Sequence, residues 1–204
     1  GLRFNNSNGS YNVNTPDDAP ILDTAWHHIA VARNGNTFTI WKDGRLICWA
    51  ESTSTLNTYD QTGLRIGGGG YGGNYFHGWM DGIRVCQGKA AYTPHFTPYG
   101  GQKNVAVGRG GAVTDARHPS ANTHAIRMGQ AINSTNANTY CLDFDGTADY
   151  LINKTPNWNS SDDRGTIFAW VYFDNTDSDE TIFASGDHAT NTYYLNFYRT
   201  SDNR

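Results

Sequence analysis

No helical repeat fits residues 25–50, AWHHIAVARNGNTFTIWKDGRLICWA, and this stretch constrains the fold more than any other part of the chain. Residues 26–33 alternate in side-chain type and are rich in side chains that suit a pleated surface. Asn34-Gly35-Asn36 supplies the positive-φ residues of a tight hairpin turn. Residues 37–41 make a second strand, with Phe38 and Ile40 on one face and Thr37, Thr39 and Trp41 on the other. Lys42-Asp43-Gly44-Arg45 turns the chain again through an Asp-Gly pair, and residues 46–50 return as a third strand. The stretch reads as an antiparallel meander.

A chain of 204 residues with 37% hydrophobic and 13% aromatic side chains buries a sizeable core and is no disordered tail. Charged residues are 17%, below the roughly 25% of ordinary domains, so the surface is neutral and polar, as turn-rich β-proteins have it. A net charge of −4 leaves no basic footprint, and no nucleic-acid partner is expected. No apolar run has the length of a membrane span and no signal-peptide pattern opens the chain. It begins mid-strand at Gly1-Leu2-Arg3-Phe4, which reads as a fragment or processed piece. Cys48, Cys86 and Cys141 lack metal-ligand spacing and are expected as free thiols in strands.

Elsewhere, residues 2–4 make a short strand and residues 5–20 a polar loop with Gly9, Pro16 and Pro20 as breakers. A brief strand at 64–66 runs into Gly67–Gly70 and Gly72-Gly73. Without a following Lys-Ser/Thr or a helix to open, that run suits a tight turn or close backbone approach, not a phosphate. Residues 75–86 form a long strand with Ile83 and Val85 inward, Arg84 and Cys86 outward, and Gly82 at a bulge. Residues 102–139 are polar and Gly/Ala/Asn-rich, with one modest strand at 124–128. Strands resume at 142–144, 165–173, 181–185 and 193–198.

Several of these stretches carry a resemblance. WHHIAVARNG followed by KDGRL, then GLRIGGGG (63–70), FHGWMDGIRV (76–85) and CQGKAAYTPHFTPYG (86–100) resemble, in order, the laminin-G-like, concanavalin-A-like domains of bacteriophage and marine-virus proteins. YCLDFDGTADYLI, from Tyr140, resembles that family's opening strand pair. The resemblance implies an all-β, antiparallel two-sheet jelly-roll sandwich. It also implies a rotated order, because the family's closing strands come first. Residues 1–103 hold the C-terminal half of a jelly roll, 104–139 a connector, and 140–204 the N-terminal half of a jelly roll. The rotation fits either a window on a tandem array, the expectation preferred here, or one permuted domain. Because first and last strands of such jelly rolls are neighbours, Cys86 with Cys141 is the pair expected if any disulfide forms.

In β-sandwich lectins an aromatic ring stacks on a sugar face while amides and carboxylates read its hydroxyls. Tyr71, Asn74, Tyr75 and His77, after the glycine run, are the expected ligand patch. Trp41, Trp49 and Trp79 are alternatives, set against the commoner reading of strand tryptophans as core. The loop DNTDSDE gathers Asp174, Asp177, Asp179 and Glu180, hard oxygen donors that suit calcium, which several laminin-G-like domains carry at a sheet rim. The plainer alternative is a solvated acidic turn. Asp143, Asp145 and Asp149 read as turn-stabilising side chains. His27 and His28 read as structural hydrogen-bonding residues, with no acidic or thiol partner nearby in sequence. Glycosidases of this fold class need paired carboxylates, yet Glu51 and Glu180 are the only glutamates and form no Glu-x-Asp-x-Glu run. Gly-x-Ser-x-Gly is absent as well. The expectation is a non-catalytic adhesion module of a virion or extracellular protein, binding a glycan or host-surface ligand beside other virion or repeat domains. A structural decoration module is second and a glycoside hydrolase third.

Overall fold

The structure, a computed structural model, describes residues 1–6, 11–15, 21, 23–53, 64–68, 74–92, 98, 123–125, 141–153, 163–175, 177–186 and 194–201. Its strands are β1 (Leu2–Asn6), β2 (Tyr11–Asn14), β3 (His27–Asn34), β4 (Thr37–Lys42), β5 (Arg45–Glu51), β6 (Leu64–Ile66) and β7 (His77–Gln87). They continue as β8 (Thr123–Ala125), β9 (Leu142–Asp145), β10 (Leu151–Asn153), β11 (Arg164–Phe173), β12 (Glu180–Gly186) and β13 (Tyr194–Arg199). No helix occurs among the described residues.

The strands build two antiparallel sheets, and the expected sandwich is what forms. The smaller, six-stranded sheet runs β10-β6-β12-β13-β1-β2. The larger, seven-stranded sheet runs β5-β4-β3-β11-β7-β8, with β9 also on β7. The meander lies where the sequence puts it, as β3, β4 and β5. Asp43 (φ 50°) and Gly44 (φ 80°) are both left-handed, the geometry an Asp-Gly hairpin turn demands. Gly82 (φ 57°) sits where the β7–β11 register slips between Phe168 and Trp170, so the expected bulge is present.

Side chains alternate across each strand, and the inward set from both sheets forms one core. Ile29, Val31, Phe38 and Ile40 of the larger sheet meet Leu2, Phe4, Ile66, Phe183 and Phe197 of the smaller. Phe4 stacks on Phe38 at 5.6 Å between centroids. Each such fully buried side chain contributes about 1.5–3 kcal/mol against exposure. The larger sheet also buries a cluster on its outer face, where Tyr92 covers Ala30, Trp41, Cys86 and Phe168.

Strands from both ends of the chain share each sheet. β11 lies between β3 and β7, and β13 pairs with β1 from Leu2↔Arg199 to Asn6↔Leu195. A tandem array would make the same pairings between neighbouring copies.

One of these expectations needs correcting. The polar loop expected over residues 5–20 contains β2, which pairs with β1; its segment YNVN sends Val13 (3% exposed) into the core among polar neighbours, so it reads as loop. Of the strand expected at 124–128, β8 (Thr123–Ala125) is present, and residues 126–128 lie outside the described residues. The three cysteines are thiols outside any disulfide, the reading the sequence favours, and the Cys86–Cys141 pair, named only for the case that a bridge forms, is not made. β9 does neighbour β7, but Leu142 pairs with Met80, far down the strand from Cys86. Several residues of β-strand rise place the two thiols roughly 16 Å apart, beyond any disulfide.

Candidate functional site

β7, β9 and β11 bring a set of side chains to one end of the outer face of the larger sheet. In β7, Gly78 and Met80 point inward, which turns His77, Trp79 and Asp81 outward. In β9, Phe144 enters the core and Asp143 and Asp145 face solvent. In β11, Val171 and Phe173 are buried and Tyr172 is half-exposed. The register aligns these outward residues in rows, with His77 opposite Asp145 and Trp79 opposite both Asp143 and Tyr172.

The aromatic row extends to a third ring. Trp79 and Tyr172 lie 5.0 Å apart between centroids, and Trp26, just before β3, lies 5.9 Å from Tyr172. Asp143 ends the row. The next row is polar. His77 Nε2 is 3.5 Å from Asp174 Oδ2, and its Nδ1 lies 2.9 Å from the Asn175 amide nitrogen. Gly146 is required beside it, since a Cβ there would lie 2.8 Å from His77 Cβ. The Asp145 carboxylate accepts the Thr147 and Ala148 N–H groups at 2.7 and 3.2 Å, which holds its carboxyl below the usual range. Asp149 accepts the Asp145 N–H, so these two residues shape the turn as expected.

Among the described residues, the members of the expected ligand patch do not all share one face. Tyr71 lies outside the described residues. Asn74 (φ 56°) is exposed and its carbonyl accepts the Thr181 N–H at 2.8 Å. Tyr75 turns toward the smaller sheet, where it and exposed Tyr150 flank Gly68. His77 joins the outer face of the larger sheet. Among the alternatives, Trp41 is buried, though in the outer-face cluster under Tyr92 and not between the sheets, and Trp79 is in the aromatic row. Trp49 departs from the core reading: it is 62% exposed on the edge strand β5.

The acidic loop also divides. Asp174 turns to His77, and the Asp177 N–H donates to Asn175 Oδ1. Asp179 accepts the Ser201 N–H and hydroxyl at 2.8 and 3.0 Å. Glu180 points into the sandwich, where Oε1 meets the Arg199 guanidinium at 3.0 Å with both side chains fully buried. Burial holds the Glu180 carboxyl above its usual range against the opposing Arg199 charge. As placed, these carboxylates do not form one calcium ligand set. Among the described residues no group of three His, Cys, Asp or Glu side chains is arranged to hold a metal ion.

His27 makes hydrogen bonds as read from the sequence, but to two carboxylates, one of them only four residues away, where no nearby acidic partner was expected. Its Nδ1 is 2.7 Å from Asp43 Oδ2 and its Nε2 is 2.6 Å from Asp23 Oδ1. His28 is boxed by Phe168, Trp170 and Tyr92, and burial drives its pKa down to about 4. Sequence reasoning missed Trp26 and Tyr172 altogether. The two-residue spacings His77/Trp79 and Asp143/Asp145 were available, but not the adjacency of the strands that carry them.

Residues 1–91 match a laminin-G-type model of the concanavalin A-like lectin/glucanases superfamily. The matched segment contains β1 to β7, hence the meander, His77 and Trp79. The strands that complete both sheets, and that bring Tyr172, Asp143 and Asp174 to the same face, lie beyond it. No curated protein and no solved structure matches the chain.

Proposed function

We propose that the chain is a non-catalytic module that binds a glycan or another hydroxyl-rich surface ligand, within an extracellular or virion protein. The observation that carries this reading is the convergence of Trp26, Tyr172 and Trp79 with His77, Asp143 and Asp174 on one accessible face. Ring faces take the C–H face of a pyranose, and flanking carboxylates accept its hydroxyl protons. The superfamily matched by residues 1–91, of lectins and glucanases, supports the sugar-binding part of this reading. A hydrolase needs a protonated carboxyl and a carboxylate facing each other across the scissile bond. Of the glutamates, Glu180 is sealed against Arg199, away from any substrate.

A glycan array tests the reading, run with and without EDTA so that any calcium requirement registers. Trp79→Ala is expected to abolish saturable binding, and Tyr75→Ala to leave it intact because Tyr75 faces elsewhere. Binding that survives Trp79→Ala moves the site off this face, and release of reducing sugar overturns the non-catalytic reading. A second reading, a structural module joined to a neighbour, is favoured by Trp49 and Leu46, exposed together on the edge strand β5. Silence across a broad array, with association that Trp49→Ala abolishes, would decide for it.

A further inference from the structure

His27 lies next to the first ring of the aromatic row and bonds carboxylates through both ring nitrogens. Only an imidazolium has two N–H donors, so this double bond requires the charged ring. The two arms differ. Asp43 is fixed by the β4–β5 turn: its other oxygen accepts the His28 N–H at 2.9 Å, and its own N–H donates to the His28 carbonyl at 2.8 Å. Asp23 belongs to the segment leading into β3, its side chain is 59% exposed, and its carboxylate also accepts the Ala25 N–H at 3.3 Å. The imidazolium therefore ties residues 23–26 to the turn, and Trp26 lies within the tied segment.

We propose that His27 is the positioning residue of Trp26: its imidazolium, held between Asp23 and Asp43, docks Trp26 on Tyr172, and loss of one ring proton releases Asp23 and loosens the ring. This rests on the reading of the aromatic row as the ligand surface. When the ring loses a proton, one carboxylate faces a nitrogen lone pair and is repelled. Asp43 is held by two short backbone bonds to His28, whereas Asp23 is more exposed and has only the longer Ala25 N–H, so Asp23 is the arm that leaves.

The charged groups facing His27 are Asp23 from the leading segment, Asp43 from the turn and Lys42 from the end of β4; neighbouring His28 is neutral. Burial disfavours the charged ring, but the bonds to Asp43 and Asp23 outweigh it and hold the pKa above 6.5. Both carboxyls sit below their usual range. For Asp23 the His27 bond is the main cause; for Asp43 the bonds to His27 and the His28 N–H overcome its burial. The sign follows. The tether is intact from the acid side, above the carboxylate pKa values, and is lost as pH rises through that of His27.

The test is 19F NMR of the 5-fluorotryptophan-labelled chain, with the Trp26 signal assigned by Trp26→Phe and the His27 ring followed in parallel. Between about pH 5 and about pH 9 the Trp26 signal is expected to shift with the His27 midpoint, above 6.5, and Asp23→Asn to move that midpoint down. A Trp26 signal that stays flat while His27 titrates overturns the proposal, as does a midpoint unchanged in Asp23→Asn. Affinity for an array-identified saccharide is expected to fall across the same midpoint. If Trp26 tracks His27 but no saccharide binds at any pH, the ligand reading falls and the tether stands. If binding is lost in Trp79→Ala yet is independent of pH, the tether falls and the ligand reading stands.

Discussion

Arg199→Met is the sharpest test of how the rim beneath the candidate site is held. Arg199 and Glu180 are fully buried partners at 3.0 Å, on adjacent strands where Glu180 pairs with Arg199 in register. The guanidinium also donates to the Ser178 carbonyl at 3.0 Å and lies 4.5 Å over the Phe173 ring. Glu180 in turn accepts the His77 N–H at 3.4 Å, so the pair sits directly below the polar row. Met keeps most of the packing on Phe173 but leaves Glu180 buried without its counter-charge. Stranding one member of such a pair costs about 3–5 kcal/mol. At about 2–4 °C per kcal/mol for a chain of this size, the melting temperature falls by about 6–20 °C.

Removing both charges is different, because the desolvation cost leaves with them. Glu180→Leu/Arg199→Met is expected within about 1 kcal/mol of the parent. Urea titrations followed by tryptophan fluorescence and far-UV circular dichroism measure all three proteins, coincident transitions licensing the comparison. The pH dependence adds a second readout. Without Arg199, the folded chain above the Glu180 pKa carries a buried carboxylate that the unfolded chain would hydrate. Below it the group takes up a proton. The deficit of Arg199→Met should therefore be smaller at about pH 5 than at about pH 8. A double variant as unstable as Arg199→Met, or a deficit that grows as pH falls, refutes the reasoning.

Gly67→Ala is expected to cost about 1–3 kcal/mol or more, since Gly67 has φ 81° and a Cβ would land on the buried Phe144 ring. Gly35→Ala, at φ 62° with open space around it, should cost only about 1 kcal/mol, and thermal melts rank the two. Intact mass should not change on reduction, because all three thiols are free. A thiol-reactive chromophore should label exposed Cys141 first. Cys48, its pKa driven by burial to about 12, and buried Cys86 should react only in denaturant; simultaneous labelling in the native state counts against the placement.

The local parts of this fold were readable because their causes are local. Gly35 and Asp43-Gly44 fix turns through backbone dihedrals, and Phe38 and Ile40 declare their buried face by alternation. Gly82 marked its bulge for the same reason. β2 escaped notice because one valine among Tyr11, Asn12 and Asn14 gives no pattern to count. The candidate site was legible only in pieces. His77 and Trp79, Asp143 and Asp145, and Asp174 each stood out as chemistry, but the adjacency of β9 to β7, and of β7 to β11, is a long-range choice. Glu180 shows the converse: composition offers it as a ligand, and strand parity buries it against Arg199.

What the sequence determined by itself is the strand period, the turns and much of the inward-facing set, because these follow from each residue and its near neighbours; the two-layer sandwich was implied by the family resemblance of its motifs. What tertiary structure decided is which strands lie side by side. That choice alone put Trp26, Tyr172 and Trp79 in one row, joined His77 to Asp174, and gave His27 a second carboxylate. The physical reason is that hydrogen-bond ladders and apolar burial pair strands by fit across space, which separation along the chain does not encode.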